Sequence, residues 1–334
     1  MKRLVLLIAF VLLAVSASAQ LMPDGSVQIV AYWKLGSVAP YQYKERTETV
    51  SEKGDTTVTR SSSEVRIFEV IGQTDSTYTL KTTYKDIYYT DASLGLMSEL
   101  MGEIAETVVL QTVTDELGSI KHFGNLDELE KSIKATIPKY VDAYLKRTDK
   151  ESRKVLDKKE LIKVLEQMLA NPQALQTMCL NDVAPMLQYH GARLDTSDIY
   201  TVPYNFFLAN GESISVNSQL FVDSAETDST SVVIRTYAHA EGDQLLPSLV
   251  AMLTPTIRAI DKTVDTEEIN KLVLEAIEEQ GLKMVMNDYT ATVIHLPTGW
   301  PISHSTIRDV IVTDKDGKKK TTSKYSDLDY IFDE

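Results

Sequence analysis

The pattern of apolar and polar positions changes character along the chain, and each change marks a different kind of structure. Leu4 to Val15 is an unbroken apolar run. From residue 20 to about 124, stretches rich in Thr, Val and Tyr alternate with turn residues, which predicts antiparallel strands. Within this part Leu94, Met97, Met101 and Ile104 fall at helical spacing, followed by a strand at Val108 to Val113 and a turn at Glu116-Leu117-Gly118. Between Asn125 and His190 the apolar positions are three or four apart. Leu126, Leu129, Ile133, Ile137, Tyr140 and Tyr144 form one stripe, Leu161, Leu165, Met168 and Leu169 a second, and Leu175, Met178 and Val183 a third. Asn171-Pro172 reads as an N-cap with proline in the first helical position, and the charged stretch Thr148 to Asp157 reads as a connection.

Beyond residue 198 the strand pattern returns. It is interrupted by the apolar stretch Leu245 to Ile260, which Pro247 and Pro255 break, and by a helix that opens at Thr266 and closes at Gly281. That helix carries Ile269, Leu272, Val273, Ala276 and Ile277 on one face. Leu282 to Leu296 and Ile302 to Thr313 then flank a turn at Pro297-Thr298-Gly299, and a last hairpin turns at Asp316-Gly317.

The two strand-rich parts resemble each other. FEVIGQTDSTYTLKTTY at Phe68 to Tyr84 matches FVDSAETDSTSVVIRTY at Phe221 to Tyr237 in its Phe, its Thr-Asp-Ser-Thr tip and its closing Thr-Tyr. Upstream, Pro40-Tyr41-Gln42-Tyr43 leads to Lys53-Gly54-Asp55 as Pro203-Tyr204-Asn205-Phe206 leads to Asn210-Gly211-Glu212. Each half reads as strands, helix, strands. The predicted fold is therefore α+β: two similar antiparallel halves, residues 20–124 and 198–334, forming a curved sheet or half-barrel covered by helices, with a helical insert at 125–197.

The N-terminus changes where this body is expected to work. Met1-Lys2-Arg3, the apolar run and Ala17-Ser18-Ala19 are the ordered parts of a cleavable leader occupying residues 1–19. The run has roughly twelve residues, whereas a spanning helix needs about twenty. No other run approaches that length and no cysteine follows the leader to carry lipid, so the expectation is a soluble periplasmic protein without a membrane anchor; release or surface display stays open. Cys179 is the only cysteine, which excludes an internal disulfide, and its apolar neighbours mark it as a core residue. With 34 basic against 48 acidic side chains, the surface disfavours nucleic acid.

Candidate chemistry is sparse. No nucleophile elbow, zinc-protease helix or phosphate loop occurs, and a Ser- and Thr-rich stretch near Ser61-Ser62-Ser63 reads as strand faces. Asp314-Lys315-Asp316-Gly317 lacks the later acids of a calcium loop and reads as a turn. Among five histidines, His295 and His304 would face each other across a hairpin centred near Gly299-Trp300, the start of a metal site that lacks further ligands; no cofactor is expected. Tyrosine and phenylalanine are more telling. Tyr43, Tyr78, Tyr84, Phe206, Phe221 and Tyr237 combine apolar bodies with, in the tyrosines, polar tips, and suit either sheet packing or the wall of a ligand groove.

The Thr- and Tyr-rich strands, the hairpin Gly118-Ser119-Ile120 and the intervening helices resemble exported proteins of the periplasm of gut-type bacteria and, in layout, the half-barrel lipoprotein carriers. The resemblance covers the two β-rich halves and not the helical insert. It implies a lipid chain held between a curved sheet and covering helices. The expectation is a non-catalytic binding or carrier protein for a lipid or acyl chain. Two alternatives stand beside it: an envelope interaction module offering a strand edge near Tyr325 to Phe332 to a partner protein, and a hydrolase whose site assembles only in the fold.

Overall fold

The computed structural model describes residues 21–91, 102–148, 157–207, 213–245 and 266–332. The leader, the Leu94 to Met101 part of the first helical stripe, the Asn210-Gly211-Glu212 turn and the stretch with Pro247 and Pro255 lie outside the described residues.

One antiparallel sheet of eleven strands dominates. Its strands in chain order are β2 (Val38–Val50), β3 (Thr56–Gln73), β4 (Thr77–Asp91), β5 (Val109–Asp115), β6 (Ile120–Phe123), β8 (Ile199–Phe207), β9 (Ser213–Val222), β10 (Ser231–Glu241), β11 (Lys283–His295), β12 (Pro301–Thr313) and β13 (Lys319–Tyr330). They lie side by side as β6-β5-β4-β3-β2-β13-β12-β11-β10-β9-β8. Two short strands, β1 (Ser26–Gln28) and β7 (Arg193–Asp195), pair separately. The long helices among the described residues are α1 (Leu126–Arg147), α2 (Lys158–Leu169), α3 (Pro172–Leu187) and α4 (Thr266–Gln280).

Most turns follow from local chemistry. Gly54 and Gly317 take positive φ between β2 and β3 and between β12 and β13, where a side chain would be strained. Asp314 Oδ1 accepts from the backbone N–H groups of Asp316 and Lys318 and closes the latter turn. Asn171 caps α3 by accepting from the Gln173 N–H at 3.0 Å.

The α+β expectation, with helices covering two β-rich halves, is overturned. About half of the described residues are strand and a quarter helix, and the sheet runs unbroken through both halves. Helices α1 to α3 share a core mainly with the part of the sheet built from β2 to β5 and β13, through Tyr41, Phe68, Leu80, Leu110 and Leu328. Strands β9 to β11 bury their own residues in two other clusters, one with the chain around Ile29 and one with Leu245. Local periodicity identifies a strand but carries no information on its neighbours. The same applies to the predicted edge at Tyr325 to Phe332. Strand β13 is interior, paired with β12 on one side and with β2 from Thr321↔Val50 to Tyr330↔Tyr41 on the other. The edges are β6, only four residues long, and β8, which carries Pro203, a residue tolerated at edges because it cannot donate to a ladder.

The two meanders are laid in the same direction. Reading across the sheet, β6 to β2 and β12 to β8 each run from later to earlier strands, with β13 between them. A strap then ties them together. Residues 29–33 hydrogen-bond Ala192, Leu117 and Thr298, each in a different connection. Trp33 stacks on Trp300 at 4.5 Å and meets His190 and Tyr78 at 5.3 Å each.

Candidate functional site

A cavity of about 510 Å³ lies between the covered face of the sheet and the helices. Its two walls differ in chemistry. The helix side is mainly apolar, with Leu129 and Ile133 from α1, Leu169 from α2, and Leu175, Met178 and Cys179 from α3; Asn181 and Asp182 are its polar members. The sheet side carries Tyr43, Glu45, Arg60, Glu64, Arg66, Tyr84, Tyr89, His304, Arg308 and Lys324.

Strand alternation explains which side chains point inward. Register links Tyr41 with Arg66 and Tyr330, Tyr43 with Glu64 and Leu328, and Leu328 with His304, so these share one face. A bulge then alters the count. Between Ser63 and Val65 the register with β4 shifts, and Asp86 opposite this step takes a left-handed φ of 53. An extra residue reverses the alternation. Tyr84 and Tyr89 therefore both line the cavity, while Tyr88 is turned out and is 59% exposed. Arg60, opposite Thr47, reaches the cavity mouth by the regular alternation of β3, and a second bulge, between Thr47 and Glu48, falls just beyond it.

The innermost polar group is Arg66, fully buried in the chain. Its guanidinium pairs with Glu64 at 2.6 Å and Asp182 at 3.3 Å, donates to the Asp182 carbonyl and lies 3.9 Å over the Tyr43 ring. Tyr84 donates its hydroxyl to Asp182 at 2.8 Å. Burial opposes the charge on Arg66, but Asp182 and Glu64 more than offset it and hold its pKa above the usual value. Burial also lifts the Glu64 carboxyl, against the pull of Arg66. Nearer the mouth, Glu45 accepts from Tyr43 at 2.7 Å and pairs with Lys324 at 2.9 Å. Burial would raise Glu45, yet Lys324, Tyr43 and Arg60 together bring it below the ordinary value. Arg308 makes two hydrogen bonds to the buried Asp288, 2.7 and 2.6 Å.

Burial also shifts two further groups of the lining. Cys179 has its thiol pushed up to about 12 by burial and by Asp182, which keeps it protonated and a poor nucleophile. His304 has its pKa brought down to about 4 by burial; its ring bonds Thr292 at 2.8 Å and Thr306 at 3.2 Å.

Of the six aromatic residues predicted for a groove, Tyr43 and Tyr84 line the cavity. Tyr78 lies on the same face but packs edge-on against Trp33 and donates to the Ala31 carbonyl at 3.3 Å. Phe206 is fully buried in another cluster, with Arg308 over its ring. Phe221 and Tyr237 fall on the opposite face, where Tyr237 stacks on Tyr289. The histidine pair does not form. The register pairs Ile294 with Pro301 after a bulge, which moves the hairpin centre and sets His304 opposite Thr292, while His295 bonds Thr298 at 2.9 Å. Among the described residues no group of three or more His, Cys, Asp or Glu side chains could hold a metal.

Arg60, Arg66, Asp182 and Lys324 went unnoticed in the sequence. Asp182 lies 116 residues from Arg66, and no local signal joins them.

No protein-family model and no curated protein matches the chain. Among solved structures, one on lipid–protein interactions in lipovitellin has 9% identity and a TM-score of 0.37, with 90% of this chain covered and 25% of that one. The chain thus spans about a quarter of that protein's length. Ail, the attachment invasion locus protein of Yersinia pestis, has 4% identity and a TM-score of 0.16, with 90% and 100% covered. OmpT, an outer membrane protein of Vibrio cholerae, has 8% identity and a TM-score of 0.18, with 90% and 99% covered. No described helix of this chain is long and apolar enough to cross a membrane.

Proposed function

We propose that this is an exported, non-catalytic binding protein that holds a small amphiphilic molecule between sheet and helices. The observation that carries the reading is the two-sided cavity: a mainly apolar helix wall facing a sheet wall of tyrosines and ion pairs, with a volume in the usual range for ligand pockets, about 300 to 1,000 Å³. A wholly apolar groove would suit a bare hydrocarbon. Here only one wall is mainly apolar, so the ligand needs a polar end. The leader-like N-terminus supports a place in the cell envelope. The matching sequence patterns and the common direction of the two meanders support descent from a duplicated unit.

The direct test is native mass spectrometry of the purified protein together with titration by a neutral fluorescent apolar probe, N-phenyl-1-naphthylamine. One probe per chain is expected to bind. Met178→Trp, at a half-exposed position of the helix wall, is expected to fill the cavity and weaken probe binding about tenfold without lowering the unfolding midpoint. Unchanged binding in that variant would refute the site.

A further inference from the structure

Resting on that reading, we propose that the bound amphiphile is an anion, with a carboxylate or phosphate head received at the cavity mouth by Arg60 and Lys324. The argument starts from the register. Arg60 on β3, Thr47 on β2, Lys324 on β13 and Arg308 on β12 form one continuous row across four strands. Like charges directly opposite one another on neighbouring strands are unfavourable, and Lys324 and Arg308 are such partners. Each must be compensated.

Arg308 is compensated within the protein by its paired hydrogen bonds to Asp288. Arg66, deeper in, faces two carboxylates, Glu64 and Asp182, so that group has no surplus positive charge with which to receive an acid. Arg60 and Lys324 differ, because both depend on Glu45. Lys324 holds it at 2.9 Å, whereas the Arg60 Nε stands 3.7 Å away, beyond hydrogen-bond reach. That Nε is buried and has no hydrogen-bond partner. The Tyr43 hydroxyl also occupies Glu45. Two cations on one carboxylate leave a surplus positive charge at this end of the cavity, in a chain whose net charge is -14. Asp327, the remaining carboxylate of the lining, acts on His304, where it opposes the larger lowering of the pKa by burial.

The next row inward adds neutral hydrogen-bonding groups. Ser62, Glu45, Ser326 and Thr306 are register neighbours, and Ser62, Ser326 and Thr306 all line the cavity. One further step reaches Tyr43, Leu328 and His304, with Glu64 held by Arg66 in the same row, facing Leu129 and Ile133. Rows on one face are about 6.8 Å apart along a strand. The cavity thus passes from cationic side chains at the mouth through hydroxyls to Leu328 and the apolar side chains of the helices over about two such steps, which suits a single-chain amphiphile with its acid outward. The Arg60 fork suits two oxygens of one acid.

The test is displacement of N-phenyl-1-naphthylamine from the mature chain by four twelve-carbon competitors at pH 8: dodecanoate, dodecyl phosphate, dodecanol and dodecylamine. At least one acid is expected to bind about tenfold or more tighter than the alcohol, with the amine weakest; the tighter acid identifies the head. Arg60→Gln combined with Lys324→Gln, both half-exposed positions, is expected to remove this preference, read as the ratio of acid to dodecanol affinity. Arg60→Lys should keep part of it. Equal affinity for acids and alcohol in the wild type would overturn the head-group assignment and leave the binding reading standing. Absence of probe binding would instead defeat the binding reading itself.

Discussion

At the scale of single residues, burial of ionisable groups gives the molecule a defined acid response. His190 and His304 both have pKa values lowered to about 4, first by burial. The ordinary value is about 6.5, so between pH 6.5 and 4 the unfolded chain binds protons that the folded chain refuses. Stability is fully present above 6.5 and falls as pH drops toward 4, by up to roughly 3 kcal/mol for each histidine. Glu64 works in the opposite sense, since its raised pKa favours the folded chain as pH falls toward the ordinary carboxyl range. Asp24, Asp195, Asp223 and Asp228 are lowered, so their contributions are lost only below the window of the histidines. Urea midpoints measured from pH 7 to 4.5 should decline, and His304→Gln, which can still bond Thr292 and Thr306, should decline less steeply. Identical slopes would mean that His304 titrates normally. None of this was legible in the sequence. His304 lies in a polar stretch, Ser303 to Thr306, and only the sheet register reveals its burial.

At the scale of elements, the sequence identifies strands, turns and caps well where the cause is local. Lys53-Gly54-Asp55, Asp316-Gly317 and Asn171-Pro172 each act through residues within two to four positions of themselves. The bulges were invisible because no residue near Ser63 or Thr47 announces an extra position. The first shapes the site: without the step at Asp86, the period of two from Tyr84 would turn Tyr88 inward in place of Tyr89. The connection after β11 shows the same dependence on distant chain. Gly299 was recognisable as a turn residue, but its second role is contact with the strap. It has φ +74, and an added Cβ would meet the Val30 carbonyl oxygen at 2.2 Å. Gly299→Ala is therefore expected to cost about 3 kcal/mol or more, from left-handed strain plus displacement of residues 29–33. A thermal melt would show it, and so would a changed tryptophan signal as Trp33 leaves Trp300. Gly317→Ala, at a positive φ with open space around it, should cost only about 1 kcal/mol.

At the scale of the whole molecule, the paired halves suggested by the sequence do not behave as separate layers, because β2 and β13 join them. Ten register pairs, Thr321↔Val50 to Tyr330↔Tyr41, cross that seam. Cutting it would expose two long strand edges of the kind that invites aggregation. The seam also lies under the cavity, whose sheet wall takes Tyr43 and Glu45 from β2 and Lys324 and Leu328 from β13. The charged mouth therefore draws on residues from both ends of the chain, and so could not be read from either half alone. The strap reinforces the union through Ala192, Leu117 and Thr298. A shared sheet and a shared strap predict cooperative loss of structure in both halves. Urea unfolding followed by circular dichroism and by tryptophan fluorescence, the latter reporting from Trp33 and Trp300, should give coincident single transitions. Two separated transitions would show that the seam is weaker than either meander. In that event the cavity would open before the sheet unfolds, and probe release would precede the loss of strand signal.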